Sequence, residues 1–205
     1  MTELGKLEKP SADTFADKRK LYCVPNVIPF MDVSEEYTDL SGRFWQDISQ
    51  QLEKLEAAWK INKVFCENIY LEGQEAMNVL AKTNEKAFNL IQKKIENGAV
   101  FIPVENKEIL GEFIDWRNCL GVVRTMDVFK KVYGFYLDAL NKRIQHVRNI
   151  IEGNLQAGEA SLLIMEDEIR AKIQFPPDME VFLVRPPSYD DLLRWFRENL
   201  ERNSL

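Results

Sequence analysis

Short apolar runs in this chain end on polar residues of a few types. Glu67 and Asn68 follow Val64, Phe65 and Cys66; Glu105 and Asn106 follow the run 99–104; Glu166 and Asp167 follow the run 162–165; Arg185 follows the run 180–184. If the runs are parallel neighbours in one sheet, all these residues lie at its carboxyl edge, where open α/β sheets place their ligands. Carboxylates converging from separate strands can hold a hard cation through oxygen ligands, or divide general acid and base roles. Glu67, Glu105 and Asp167 are therefore the candidate catalytic or metal-binding acids. Asn68, Asn106, Glu166 and Arg185 are the candidate ligand-binding residues, with Arg185 suited to an anionic group. The plainer alternative, strands that simply exit into acid-rich loops, stays open at this point.

Other chemistries lack their residues. There is no GxGxxG, no GxxxxGK[ST] and no GxSxG, so no nucleotide-binding motif and no nucleophile elbow is expected. The single histidine, His146, stands between Ile144 and Val147 in a helical stretch, with neither cysteine nor carboxylate beside it at ligand spacing. Cys23, Cys66 and Cys119 are isolated and read as buried reduced thiols. Trp45, Trp59, Trp116 and Trp195 fall on apolar helix faces, where core packing accounts for them. The cofactor the strand-end acids would take is a divalent metal.

The elements that must position those acids alternate. At 205 residues and 45% hydrophobic, the chain supports one large core. Residues 1–20 carry scattered charges and Pro10 and read as a flexible N-terminal arm; 21–205 read as a single α/β domain. Strands are expected near 21–27, 62–67, 99–104, 160–166 and 180–185, the first ending at Pro25 or lying at an edge, because proline lacks the ladder donor. Residues 160–166 lack alternation, as in a strand covered on both faces. Between the strands, the stripe Phe44, Ile48, Leu52, Leu55 predicts an amphipathic helix from about residue 41, capped by Asp39 or Ser41. Residues 29–40 read as a loop over the carboxyl edge, a lid or a solvated segment. A helical stretch over 73–97 breaks at Thr83 and Asn84; a short helix covers 107–119; Ser188 with Asp191 resembles a capping box for the last helix. The fold expected is α/β, a mainly parallel sheet of four to five strands flanked by helices, with one long helix before the last two strands.

That long helix, 125–151, would span about 40 Å at ~1.5 Å per residue. Val128, Val132 and residues 135–140 are expected to dock on the domain, leaving Ile144, Val147 and Ile151 as a narrow projecting seam for a homodimer. The net charge of −6 argues against a nucleic-acid partner. No run approaches the ~18 apolar residues of a membrane span, and the first twenty residues lack a signal peptide's apolar core, so no membrane partner and a cytoplasmic location are expected.

The C-terminal third resembles uncharacterised bacterial α/β proteins of no assigned activity. The resemblance rests on Gly158 and Glu159, the run 162–165, Pro177 and Asp178, the run 180–184 and the stretch 189–200. The opening Leu21, Tyr22, Cys23, Val24, Pro25, with the distant Phe44 and Trp45, is similar to that group as well. It implies a fold and an order of elements. Glu166 and Asp167 stand where the group's pattern often bears histidine, and 26–29 lacks the histidine expected after the first strand, so no histidine-dependent activity is carried over.

Two functions follow as expectations. One is a protein binding a small anionic ligand or a divalent metal at the carboxyl edge, with an enzyme as one version of it. The other is a non-catalytic interaction or scaffold protein that self-associates through the helix 125–151.

Overall fold

The computed structural model describes residues 17–29 and 34–202. Most of the N-terminal arm expected over 1–20, and Asp32 of the expected loop, lie outside the described residues. Among the described residues five strands form one sheet in the order β3-β2-β4-β1-β5: β1 (Arg19–Pro25), β2 (Ile61–Cys66), β3 (Val100–Phe101), β4 (Ala160–Met165) and β5 (Met179–Leu183). Every pairing is parallel. The helices are α1 (Glu35–Glu56), α2 (Gly73–Thr83), α3 (Glu85–Glu96), α4 (Lys107–Leu120), α5 (Met126–Asn154), the four-residue α6 (Asp167–Arg170) and α7 (Pro187–Arg202). Among the described residues no helix is long and apolar enough to cross a membrane.

The unbroken apolar runs are explained by burial on both faces. In β1, Tyr22 and Val24 join the core with α1, α2, α3 and α7, while Leu21 and Cys23 join the core with α4, α5 and α6. In β4, Leu162 and Ile164 divide from Leu163 and Met165 in the same way. The period of two persists but is hidden, because both faces want the same residue type. Pro25 ends β1 at the last ladder position, opposite Met165. The strand nonetheless lies inside the sheet, and it begins earlier than expected, with Arg19 and Lys20 already paired to β5.

Boundaries elsewhere follow caps. Helix α1 starts at Glu35, because the Ser34 hydroxyl accepts from the Tyr37 amide. Tyr37 and Leu40 extend the buried stripe one turn further back than a loop reading of 29–40 allows. The expected break at Asn84 is a true cap: its Oδ1 accepts from the Ala87 amide at 3.1 Å while its Nδ2 donates to Val27 O at 2.9 Å and Asn26 Oδ1 at 3.0 Å. Asn84→Ala removes a cap and strands a buried carbonyl, and should cost about 2 kcal/mol in urea unfolding; a loss below the error of the midpoint would mean that water replaces these bonds. Ser188 does not build the expected capping box. Helix α7 instead opens at Pro187, where proline's missing N–H costs nothing, and the Ser188 hydroxyl donates to Asp47 Oδ2 at 2.6 Å.

The long helix is oriented opposite to expectation. Its C-terminal part crosses one sheet face toward the amino edge, where Asn154 O accepts from Lys63 Nζ and Glu152 O from Arg19 Nη1. Val147 and Ile151 are fully buried there, and Ile144 packs against the same core. The N-terminal part runs beyond the carboxyl edge. It pairs antiparallel with α4, as Lys142–Glu112, Tyr136–Phe113 and Phe135–Trp116 contacts show. At ~1.5 Å per residue, the stretch from Met126 to Asp138 is about 18 Å long. Residues 126–138 include no buried residue. Thus Val128, Phe135 and Leu137 are exposed, and the seam expected at Ile144, Val147 and Ile151 is spent inside the subunit.

Candidate functional site

Strand β4 is a switch point. The chain leaving β1 and β2 enters helices on one face, and the chain leaving β4 enters α6 on the other, so crevices open on both sides of β4 at the carboxyl edge. Residues that follow β1, β2 and β4 meet there.

Just past β2, the Glu67 amide donates to Ile164 O at 3.0 Å and continues the pairing with β4. Asn68 then takes a left-handed conformation, φ 63°, which asparagine tolerates better than most residues. That turn directs the Asn68 amide to Glu105 Oε1 at 3.1 Å. Arg143, 1% exposed, joins the two acids. Its Nε donates to Glu105 Oε1 and Oε2 at 3.0 and 3.1 Å, and its Nη2 reaches Asn68 Oδ1 at 3.3 Å and Glu67 Oε2 at 3.4 Å. The guanidinium also lies 4.7 Å from the Phe113 ring centroid, a favourable face for a cation.

The two oxygens of Glu67 differ. Oε1 accepts from the Asn26 amide group at 2.9 Å and from the Glu166 N–H at 2.8 Å. Among the described residues Oε2 has only the long Arg143 contact, and is the oxygen with capacity to take up a proton. Burial pushes this carboxyl up to about 7, against the opposing charge of Arg143 and the bonds from Asn26 and Glu166. A cavity of about 340 Å³ lies against it, lined also by Asn26, Asn68, Arg117, Glu166 and Tyr189. Burial, then the charge of Asp167, pushes the Tyr189 phenol up to about 12, so it stays protonated at neutral pH. Arg117 is exposed, forms no ion pair among the described residues, and sits 5.4 Å from the Phe113 ring.

Of the residues expected at the edge, Glu67, Asn68, Glu105 and Glu166 do come together. Asp167 and Arg185 are at the same edge but pair with each other at 2.6 Å, in a neighbouring cavity of about 550 Å³ that shares Glu166 and Tyr189. Asn106 is a helix cap whose side chain accepts from the amides of Glu108 and Ile109. Its role is to start α4. Asn26, Asn84, Arg117, Arg143 and Tyr189 were not anticipated. For Arg143 a signal existed: it occupies an apolar position of the α5 stripe, between Leu140 and Val147 at spacings of three and four, where a buried charge requires a partner.

Among the described residues no three His, Cys, Asp or Glu side chains are grouped to hold a metal ion. The two acids that approach each other, Glu67 and Glu105, share Arg143 between them. Comparison of the chain with protein-family models, curated proteins and solved structures finds no match.

Proposed function

We propose that the protein binds a small organic anion at the carboxyl edge, in the cavity beside Glu67, and that Glu67 exchanges a proton with it. One observation carries this reading: a buried carboxyl that changes charge near neutral pH lines a cavity of ligand size, with one oxygen fixed by two donors and the other left for the ligand. Arg117, exposed and without an ion-pair partner among the described residues, is the group that meets the anion. Arg143 and Arg185 are already held by carboxylates. A divalent metal fits less well, because the edge acids that approach each other are tied to arginines.

Inorganic phosphate and simple mono- and dicarboxylates at 1–20 mM are the first probes, concentrations at which weak binding to the native state raises Tm by a few degrees through mass action (~1–2 kcal/mol). The rise should vanish in Arg117→Ala and, in the wild type, change with pH through about 7. No rise with any of these anions removes the reading. Magnesium and manganese at millimolar concentration should leave Tm unchanged; a rise that Asp167→Asn abolishes would reinstate the metal.

A second reading, an interaction protein that self-associates as a homodimer through α5, is favoured by the exposed Met126, Val128, Phe129, Tyr133 and Leu137 in the N-terminal half of that helix. It needs no chemistry at the cavity.

A further inference from the structure

Among the described residues twelve large apolar side chains are exposed, and seven of them fall within 122–137. That stretch is the end of the α4–α5 hairpin, beyond the carboxyl edge of the sheet. Val122, in the connection, and Met126, at the start of α5, are the most exposed of the twelve, at 75% and 65%. Single apolar residues scattered over a surface are ordinary, whereas a cluster at one tip marks a contact.

The cluster does not form one face. At about 100° per residue, the apolar positions of 126–140 fill an arc of about 200° around α5, from Phe135 and Val128 through Val132 to Met126 and Leu137. Helix α4 seats on the middle of that arc, between its contacts with Phe135 and Tyr136, and there Val132 is half-buried and Ala139 fully buried. Val128 and Phe135 stay exposed on one flank of α4, and Phe129, Tyr133 and Leu137 on the other. A partner surface laid on one flank leaves the other bare. A fluid phase that closes round the tip covers both.

Charge identifies the phase. Residues 115–137 carry Arg117, Arg124, Lys130 and Lys131 against Asp115 and Asp127, a net +2 in a chain of −6. Arg124, Lys130 and Lys131 are exposed and in no ion pair among the described residues. Asp127 stands in the first turn of α5, where the helix amides favour an acid. Depth sorts the side chains in the same sense. Along the helix axis Phe129 stands about 5 Å behind Met126, Lys130 and Lys131 about 6–8 Å, and Tyr133 about 10 Å. Apolar groups lead, cations follow, and an aromatic ring stands behind them, the order that a membrane interface selects.

We infer that the hairpin tip seats in the headgroup layer of an anionic lipid bilayer, with Val122, Met126 and Phe129 reaching the acyl boundary and Lys130 and Lys131 meeting lipid phosphates. The contact is with one leaflet, since among the described residues no helix is long and apolar enough to cross. This inference does not rest on the cavity or its ligand.

Cosedimentation of the full chain with vesicles at 0.15 M salt tests it. The chain should pellet with phosphatidylcholine vesicles in which one lipid in three is phosphatidylserine, and bind phosphatidylcholine alone at least about thirtyfold more weakly. Lys130→Gln combined with Lys131→Gln should weaken binding to the anionic vesicles about twentyfold, at roughly fivefold for each cation. Met126→Glu should weaken it at least about tenfold, because insertion scales with the apolar area immersed. Circular dichroism should not change in either variant, since all three residues are exposed. If it does, the wild-type fold answers alone: bromine on the acyl chains should quench Trp116, whose ring stacks on Phe135 at 4.7 Å in the same hairpin, and Trp116→Phe should remove the quenching. No pelleting with the anionic vesicles overturns the inference. So does equal binding to phosphatidylcholine alone, or a Met126→Glu variant that binds as the wild type does. A second copy on the tip would give, without lipid, a species of twice the 23.9 kDa subunit mass that Met126→Glu dissociates, and that result overturns it as well.

Discussion

Replacing Arg143 by methionine should destabilise the protein by about 3–5 kcal/mol at pH 7, the cost of leaving buried carboxylates without their cation. Methionine fills much of the arginine stem's volume, so the loss reports charge more than packing. Glu105 then keeps only the Asn68 amide among its donors, and Glu67 keeps Asn26 and the Glu166 amide. The destabilisation should shrink toward pH 5, because a protonated Glu67 no longer needs Arg143. Adding Glu105→Gln to Arg143→Met should recover a large part of the loss, since an amide leaves no charge stranded. Urea unfolding of the two single variants and the double variant measures the coupling. If Arg143→Met costs under 1 kcal/mol, water reaches the cluster and the buried ion pair is not what holds it.

The second large effect is on the pH dependence of stability. Glu67 is raised in the folded protein, from an ordinary 4.5 to about 7. Between those values the folded chain binds a proton that the unfolded chain has lost, so this group's contribution falls as pH rises from about 4.5 to about 7. The fall amounts to about 3 kcal/mol at 1.36 kcal/mol per pH unit. It is complete above pH 7 and absent below 4.5. Glu67→Gln cannot titrate. Its stability relative to the wild type should therefore climb by about 3 kcal/mol across that window, whatever other carboxylates do, because they are common to both proteins. A difference that stays flat from pH 4.5 to 7.5 would place the Glu67 titration at an ordinary value and remove the proton-transfer role with it. Carbon NMR of the Glu67 carboxyl gives the same answer directly, with an expected midpoint near pH 7.

What the sequence by itself determined is local. The stripes Phe44, Ile48, Leu52 and Met77, Leu80 carry a period of 3.6. The Asn84 cap, the Gly98 stop at φ +96° and Pro25 are signals read within a few residues of where they act. They sufficed for the order of elements and for a parallel sheet, because every strand is followed by enough chain for a helical crossover. They also sufficed to put Glu67, Glu105, Glu166, Asp167 and Arg185 on one edge, since strands that run the same way end on the same side.

Tertiary structure alone decided which of those residues meet. The insertion of β4 between β1 and β2 brings the Glu166 amide to Glu67 and leaves Asp167 to pair with Arg185. Strand order depends on how the helices share two faces, which no local period encodes. The same holds for α5: its apolar positions are continuous in sequence, but the sheet is shorter than the helix, so the same residue type is core at Val147 and surface at Val128. Where the sheet stops is set by strands elsewhere in the chain, β2 and β3 before the helix and β4 after it. Arg143 falls at that boundary, at the carboxyl edge beside β2 and β3, which is why a charge on an apolar stripe becomes the centre of the site.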